Sequence, residues 1–350
     1  MEKCIGMLSS KTQKFEDENT VKLNNRFKVA VIIPSYKVKE KIMDVLAGIG
    51  RGVDRIYVVD DLCPQASGLW VSNNCNDPRV MVLYNHANLG VGGTVLVGYR
   101  AAILEGMDIL VKIDGDGQMD PSLIDHFIDP IIDGFADYTK GNRFYNLENL
   151  RGMPKLRLFG NAVLSLMCKI SSGYWNLFDP TNGYTAIHAD VARLLPFAKI
   201  SQRYFFETDM LFRLNTIQAV VVDIPMVSKY EGEVSNLKIS KVTIEFFIKH
   251  ARNFFKRIFY NYYLRDMSIA SIELPLGILL FSFGVIYGGF QWFSSATVGI
   301  PKTAGTVMLS GLPVTLGLQL ILAFFGYDIL TVPKHPIHQK ISFHESGKGN

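Results

Sequence analysis

The stretch that decides the fold is Ile109-Leu110-Val111-Lys112-Ile113-Asp114-Gly115-Asp116-Gly117-Gln118, an apolar run that stops at two aspartates. An apolar run of this length, bounded by turn residues, is typical of a β-strand buried on both faces of a parallel sheet. Such open sheets bind ligands beyond the carboxyl ends of their strands. The segment therefore predicts an α/β fold with a ligand site at Asp114 and Asp116.

Similar runs occur on both sides of this stretch. Predicted strands cover 29–33, 55–59, 80–84 and 219–224, and helix-length segments cover 39–48 and 94–106. Strands that alternate with helices imply βαβ units. We therefore expect a Rossmann-like open, mostly parallel sheet with flanking helices, in which polar residues gather at one edge.

Composition excludes several classes of protein. The net charge of +4 over 350 residues is too small for a protein that neutralises many phosphates, so we expect no nucleic-acid partner. The four cysteines form no C-x-x-C pair and have no histidine cluster at zinc spacing, which fits a reducing cytosol. Residues 1–27 contain no apolar core of a secretory signal and are predicted to be a flexible tail.

Two apolar segments near the C-terminus, 274–293 and 307–329, lack Lys and Arg and are each long enough to cross a bilayer as a helix. Asp328 is placed at the outer end of the second. Residues 240–268 alternate aromatic and basic side chains, as amphipathic helices in the headgroup region do. The alternative is a buried helix pair in a soluble protein.

These segments predict a division of the chain. Residues 28–239 form the α/β domain, 240–268 the amphipathic juxtamembrane helices, 269–331 a transmembrane hairpin and 332–350 a cytoplasmic C-terminal tail. The basic flank before the first span keeps the domain and both termini in the cytoplasm by the positive-inside rule. We therefore expect a two-span membrane protein, in the inner membrane if the cell is bacterial, with the lipid bilayer as a partner.

The acidic cluster after the fourth strand has three interpretations. Asp114, Asp116 and Gln118 offer the hard oxygen ligands that a divalent cation on a diphosphate needs, although Asp-Gly is also a strong turn signal. An EF-hand is rejected, because Met119 stands where the loop needs glycine and Asp125 replaces the bidentate glutamate. The glycines after Asn88 do not follow the first strand, so a dinucleotide-binding dehydrogenase is not expected.

Seven short motifs occur in the order found in one family. They are Ile32-Ile33-Pro34-Ser35-Tyr36, Val58-Val59-Asp60-Asp61, Asn88-Leu89-Gly90, the cluster Asp114/Asp116/Gln118, Gly141-Asn142-Arg143, Asp179-Pro180-Thr181-Asn182-Gly183-Tyr184 and Glu207-Thr208-Asp209. Over residues 29–238 the chain resembles glycosyltransferase family 2 enzymes of the GT-A fold, with the closest likeness to polyprenyl-phosphate glycosyltransferases. Lys37-Val38 departs from the Asn-Glu of many members.

The resemblance implies roles for individual residues. The nucleotide-sugar site would contain Pro34, Tyr36, Asp60, Asp61, Asn88, Gly90, Asp114, Gly115 and Asp116. The residues that would hold Mg²⁺ or Mn²⁺ are Asp114, Asp116 and Gln118. The residues near the reaction centre are Asp179, Glu207, Asp209 and Arg143. Those facing an acceptor phosphate are Arg143, Lys155, Arg157 and Lys238.

The implied activity is an inverting transfer from a UDP- or GDP-sugar to a membrane polyprenyl phosphate. A sugar hydroxyl as acceptor would need a carboxylate base such as Asp209 or Asp179, whereas an ionised phosphate would not. Transfer to a lipid-linked glycan or polysaccharide is the alternative. A non-catalytic nucleotide-binding scaffold disagrees with the retained carboxylates Asp114 and Asp116. The sequence leaves the sugar, the nucleotide and homo-oligomer formation open.

Overall fold

The computed structural model describes residues 27–145, 155–227 and 239–341, and only the backbone of 155–158 and 239–243. The predicted tail lies outside these residues apart from Phe27, and so does Lys238. The strands are β1 (Val29–Ser35), β2 (Arg55–Asp60), β3 (Val80–Tyr84), β4 (Ile109–Lys112), β5 (Tyr138–Asn142), β6 (Thr185–His188) and β7 (Val221–Pro225). The helices of the α/β part are α1 (Ile42–Gly48), α2 (Ser67–Asn74), α3 (Gly90–Leu104), α4 (Ile124–Ile132), α5 (Lys155–Ser172), α6 (Ala189–Arg193) and α7 (Phe206–Thr216).

The seven described strands form one sheet in the order β3-β2-β1-β4-β6-β5-β7. Only β6 is antiparallel to its neighbours, and β7 returns parallel to β5. All the other described strands therefore end at the same edge, and β6 begins there. The predicted α/β class with an open, mostly parallel sheet is confirmed.

Two elements extend beyond their predicted bounds for identifiable reasons. Strand β1 continues through Pro34, because β4 ends opposite Ile32 and the missing N–H of Pro34 faces no partner strand. Helix α3 begins at Gly90 rather than at residue 94. The side chain of Asp61, after β2, accepts hydrogen bonds from the amides of Leu89 and Gly90 and so caps the helix from outside.

Two apolar clusters bury the two faces of the sheet. Alternate residues of β1 point to opposite faces, so Ala30 and Ile32 meet α3 and α7, while Val31 and Ile33 meet α1 and α4. The carboxyl edge lies between these layers. Its loops are thus held by a rigid core on each side.

Helices α8 (Ile239–Phe259), α9 (Ala270–Val298) and α10 (Ala304–Leu330) follow β7 in the described chain, with a π-helical turn at Tyr260–Arg265. Both α9 and α10 are long and apolar enough to cross a membrane. In the most apolar 18-residue stretch of each helix, only 22% of α9 and 11% of α10 is buried. Glycines let the pair approach closely, since a Cβ atom at Gly284 would lie 2.6 Å from the carbonyl of Ser310. The alternative of a buried pair in a soluble protein does not fit this exposure.

The hairpin is joined to the α/β part by buried polar contacts. Asp328 of α10 accepts hydrogen bonds from Arg257, Trp175 and Tyr262. A cavity of about 250 Å³, away from the carboxyl edge, is lined in part by Arg257 and Asp328. After α10, the amides of Ile337 and His338 donate to buried Asp137, just before β5. The first residues of the predicted C-terminal tail are therefore packed against the domain.

Candidate active site

The carboxyl edge gathers most of the residues that the motifs predict. Asp60 and Asp61 follow β2, Asp114 and Asp116 follow β4, and Arg143 follows β5. Asp179 precedes β6, which runs antiparallel to its neighbours and therefore begins at the same edge. The topology therefore assembles one site from motifs that are more than a hundred residues apart.

A buried lysine occupies the centre of this edge. Lys112, the last residue of β4, places its Nζ 3.0 Å from Oδ1 of Asp114 and 3.2 Å from Oε1 of Glu207. Its side chain is 1% exposed, whereas those of Asp114 and Glu207 are 29% and 13% exposed. Burial alone would lower the pKa of Lys112, but the two adjacent carboxylates raise it above its ordinary value. The ammonium group thus stays charged.

Gly183 closes over this ion triad. A Cβ atom at Gly183 would collide with Nζ of Lys112 and lie 2.7 Å from Oδ2 of Asp114. Only glycine lets the backbone of the Asp179–Tyr184 motif pass this close to the triad. The approach connects the acidic loop after β4 with the loop before β6.

Asp116 and Gln118 lie in the turn that follows Asp114. The amide of Gln118 donates to Oδ1 of Asp116 at 3.0 Å, and Gly117 has a φ of +78°. Asp114 and Asp116 are both half-buried, so their oxygens line the open edge. The described residues contain no group of three His, Cys, Asp or Glu side chains suited to a metal. Two carboxylates and an amide nevertheless fit a Mg²⁺ or Mn²⁺ that takes its other ligands from phosphates and water.

Arg143 and Asp179 form a bidentate pair on the other side of β6. Nε of Arg143 lies 2.7 Å from Oδ2 of Asp179, and Nη2 lies 3.0 Å from Oδ1. The side chain of Asp179 is 1% exposed and that of Arg143 is 25% exposed. Burial raises the pKa of Asp179, but the hydrogen bonds from Arg143 and the charge of Lys140 outweigh it and leave the pKa below its ordinary value. Asp179 is therefore an ionised partner of the guanidinium.

Lys140 of β5 is a second buried lysine at this edge. Its Nζ donates to the backbone carbonyl of Asp179. Burial lowers its pKa, and the charges of Asp179 and Asp223 partly offset that effect. Lys112 and Lys140 both lie opposite Thr185 in the sheet register, so the three side chains form a row on one face. Neither lysine was predicted from the sequence. A lysine inside the apolar run 109–113 was the available signal for Lys112, whereas Lys140 lies in a strand, Tyr138–Asn142, that is not an apolar run.

Asp60 and Asp61, predicted in the nucleotide pocket, accept hydrogen bonds from the loops that follow β2 and precede α3. Asp60 accepts hydrogen bonds from the amides of Cys63 and Gly68 at 2.8 and 2.6 Å. Asp61 binds the amides at the start of α3, and Asn88 donates to its carbonyl at 3.1 Å. Gly90 has a φ of +80°, which favours glycine there. Near them, Pro34 is half-buried and Tyr36 is 44% exposed, while Gly115 is buried beside β1.

Asp209 lies apart from this group. Successive residues of an α-helix turn by about 100°, so Asp209 faces away from Glu207 on α7. Its Oδ2 accepts from the amide of Ser201 at 2.8 Å, and its Oδ1 accepts from Asn253 of α8 at 3.1 Å. The structure thus brings together Asp114, Glu207, Arg143 and Asp179 but gives Asp209 a position that ties α8 to the domain.

The cations predicted to meet an acceptor phosphate are only partly described. Arg143 lies at the carboxyl edge, directly after β5. Lys155 and Arg157 lie in the first turn of α5, where only the backbone is described, and Lys238 lies outside the described residues. Their predicted contacts therefore remain predictions.

The fold and this edge define an α/β protein with a carboxylate-rich site at the strand ends. A family model described as glycosyl transferase family 2 matches residues 30–195. Undecaprenyl-phosphate mannosyltransferase of Micrococcus luteus is 31% identical over 217 residues, which cover 61% of this chain and 88% of that one. The chain belongs to glycosyltransferase family 2 and is a glycosyltransferase.

Two further relatives extend this comparison. UDP-N-acetylglucosamine–dolichyl-phosphate N-acetylglucosaminyltransferase of Methanococcus voltae is 27% identical over 232 residues, which cover 62% of this chain and 92% of that one. Mannosyl-3-phosphoglycerate synthase of Rubrobacter xylanophilus superposes with a TM-score of 0.50 at 15% identity, over 70% of this chain and 80% of that one. The first supports the predicted resemblance to polyprenyl-phosphate glycosyltransferases, and the second supports the GT-A fold alone.

Proposed function

We propose that the chain transfers a sugar, with inversion, from a UDP- or GDP-sugar to a polyprenyl phosphate at the membrane surface. By their names, the Micrococcus and Methanococcus relatives act on undecaprenyl and dolichyl phosphates, which supports this acceptor class. The observation that carries the proposal is an exposed apolar surface that leads to the Arg143–Asp179 pair.

That surface begins on α5. Phe159, Val163 and Leu166 have the spacing of one helix face, and they are 66%, 41% and 53% exposed. Oγ of Ser165 donates to the carbonyl of Phe178, which is 52% exposed and directly precedes Asp179. An acceptor with an apolar tail on α5 can therefore present its phosphate at Arg143 without leaving the protein surface.

Helix α8 extends the same kind of surface toward the hairpin. Its exposed apolar side chains are Ile244, Phe247, Ile248, Phe255 and Phe259. Contiguous exposed apolar patches mark contacts with membranes or partners, and here they adjoin two membrane-length helices. We propose that 240–268 lies on the bilayer, that 269–331 spans it, and that 28–239 and both termini are cytoplasmic.

The donor side of the site lies between β1, β2 and β4. We propose that Pro34, Tyr36, Asp60, Asp61, Asn88 and Gly90 surround the base and ribose, and that the turn from Asp114 to Gln118 receives the diphosphate. A divalent cation bound by Asp114, Asp116 and Gln118 would offset the charge that develops on the leaving diphosphate. Lys112 holds Asp114 in place while the donor binds.

The acceptor side requires no base. A phosphate monoester has a second pKa of about 6 and is largely ionised at neutral pH, so its oxygen can attack the anomeric carbon directly. The guanidinium of Arg143, 25% exposed, can be reached by that phosphate from solvent and is suited to bind it. Asp179 and Glu207 then act by position, because each already neutralises a cation of the edge.

The test is a transfer assay with purified protein in detergent. A thermal-shift panel of UDP- and GDP-sugars, with and without Mn²⁺, selects the donor, because ligands of the native state raise the melting temperature. Radiolabelled sugar from that donor should then enter a mild-acid-labile polyprenyl monophosphate. A lengthened glycan as the labelled product would instead support the alternative acceptor.

A substitution at Asp116 tests the proposed metal site separately. Asp116→Asn should abolish transfer and leave the melting temperature near wild type, because Asp116 is a half-buried turn residue. Asp125→Asn, the same change on the exposed face of α4, is the matched control and should keep activity. Wild-type turnover by Asp116→Asn would refute a metal held by this turn.

A further inference from the structure

The two carboxylates that meet at Lys112 come from elements far apart in the chain. Asp114 follows β4, whereas Glu207 lies in the first turn of α7. Both approach the same nitrogen atom, at 3.0 and 3.2 Å. Two negative charges therefore face each other across a single ammonium group.

The surroundings prevent any other cation from taking that place. The side chain of Lys112 is 1% exposed, and Gly183 covers the contact with Asp114 so closely that a Cβ atom would not fit. The lysine projects from a central strand, between its register partners Ile32 and Thr185. Its ammonium group is thus a fixed part of the edge.

The carboxylates of Asp114 and Glu207 are also close enough to bind one metal cation between them. Hard divalent cations take carboxylate oxygens at about 2.0–2.6 Å, and small movements of two side chains that already touch one atom would create such a bridge. Without Lys112, Asp114 and Glu207 would repel each other or share a metal. A metal drawn to Glu207 would be drawn away from the turn that holds Asp116.

We infer that Lys112 is a positioning residue whose ammonium group serves as a built-in cation between Asp114 and Glu207, so that the donor's divalent ion binds only at the Asp114–Gln118 turn. The inference rests on the proposed donor site. Lys112 thereby keeps the ion out of a second, unproductive position between Asp114 and Glu207.

The test is Mn²⁺ binding to nucleotide-free protein, followed by electron paramagnetic resonance of the free ion. Lys112→Met should bind Mn²⁺ at least about tenfold more tightly than wild type, because two uncompensated carboxylates then face each other. Adding Glu207→Gln to this variant should remove the gain. Lys140→Met is the matched control, since that lysine is equally buried but contacts a backbone carbonyl, and it should show no gain.

A second readout is the ratio of UDP or GDP dissociation constants without and with Mn²⁺. We expect this ratio to fall at least about tenfold in Lys112→Met, because the metal no longer sits where the diphosphate arrives. A merely structural lysine would lower the melting temperature but create no new Mn²⁺ site. If Lys112→Met does not fold, Lys112→Gln keeps hydrogen bonds to both carboxylates and replaces it in both measurements.

The outcomes separate the two proposals. Wild-type Mn²⁺ affinity in a folded, neutral Lys112 variant overturns the inference and leaves the transfer reaction untouched. A wild-type protein that transfers no sugar and binds neither nucleotide overturns the proposed function. A gain that survives Glu207→Gln also overturns the inference, because the new site then does not include Glu207.

Discussion

Two bidentate Arg–Asp pairs lie in different parts of the molecule and differ in one respect. Arg143–Asp179 stands at the carboxyl edge, with the arginine side chain 25% exposed. Arg257–Asp328 joins α8 to α10, with both side chains 1% exposed. Nitrogen–oxygen distances are similar in the two pairs, between 2.6 and 3.0 Å.

Exposure decides what each pair can do. In the sealed pair, Arg257–Asp328, water cannot replace a lost partner, so the pair holds the hairpin and the domain together. In the open pair, Arg143–Asp179, an anion can approach the exposed guanidinium from solvent while the carboxylate keeps the fork oriented. The same chemistry therefore anchors the hairpin and, in the proposed function, recognises the acceptor phosphate at the carboxyl edge.

Breaking the sealed pair should have the largest effect. Asp328→Ala leaves Arg257 buried without its partner and removes acceptors from Trp175 and Tyr262, and we expect a loss of about 3–5 kcal/mol. The melting temperature of the purified protein in detergent measures it. Asp266→Ala, which breaks the exposed Arg265–Asp266 pair, is the matched control and should change stability by less than about 1 kcal/mol.

A double variant tests the cause of that loss. Arg257→Met with Asp328→Leu removes both charges together, and such replacements are often neutral or stabilising. We expect the double variant to recover most of the melting temperature that Asp328→Ala loses. Equal losses in the two variants would mean that the shape of this contact, rather than an uncompensated charge, sets its strength.

Changing the open pair should reduce activity more than stability. Arg143→Lys keeps the charge but loses the planar fork, so we expect kcat/KM for polyprenyl phosphate to fall about 10- to 100-fold. Arg79→Lys is the matched control, because Arg79 makes a similar fork to Asp77 at the start of β3, at the opposite edge of the sheet. An Arg143→Lys enzyme with wild-type kcat/KM would remove Arg143 from acceptor recognition.

The fold was predictable because its signals are local. Apolar runs such as 29–33 and 109–113 require burial on both faces, which identifies them as strands. The seven motifs occur in the order of one family, which indicates how the strands are arranged. The antiparallel insertion of β6 was not predictable, because a four-residue strand carries no sign of its direction. The start of α3 was also missed, since its cap comes from Asp61, a residue of another element.

The site was predictable in its residue types and less so in its pairings. Glu207 and Asp209 share one motif, but the helical phase of α7 turns only Glu207 toward Lys112. Asp328 was placed at the outer end of a span, and its burial follows from a partner 71 residues earlier in the chain. The position of Lys112 and Lys140 on either side of Thr185 depends on the sheet register, which the sequence does not show.

The smallest effect that distinguishes the two pairs is a pH dependence of stability at Asp179. Its pKa is lowered in the folded protein, so its contribution is present above the ordinary value of about 4 and is lost as the pH falls through the folded value. In Arg143→Gln, burial dominates and raises that pKa. The charged carboxylate then destabilises the variant at neutral pH, and protonation relieves this as the pH falls.

The difference in melting temperature between wild type and Arg143→Gln should therefore be largest near pH 7 and shrink toward pH 4. Its control is the same comparison in an Asp179→Asn background, where no carboxylate titrates at position 179 and the difference should stay flat. A difference that stays constant or widens on acidification would mean that Arg143 does not govern the charge of Asp179. The open pair would then be a packing contact, and recognition of the acceptor phosphate would have to rest on other cations of the edge.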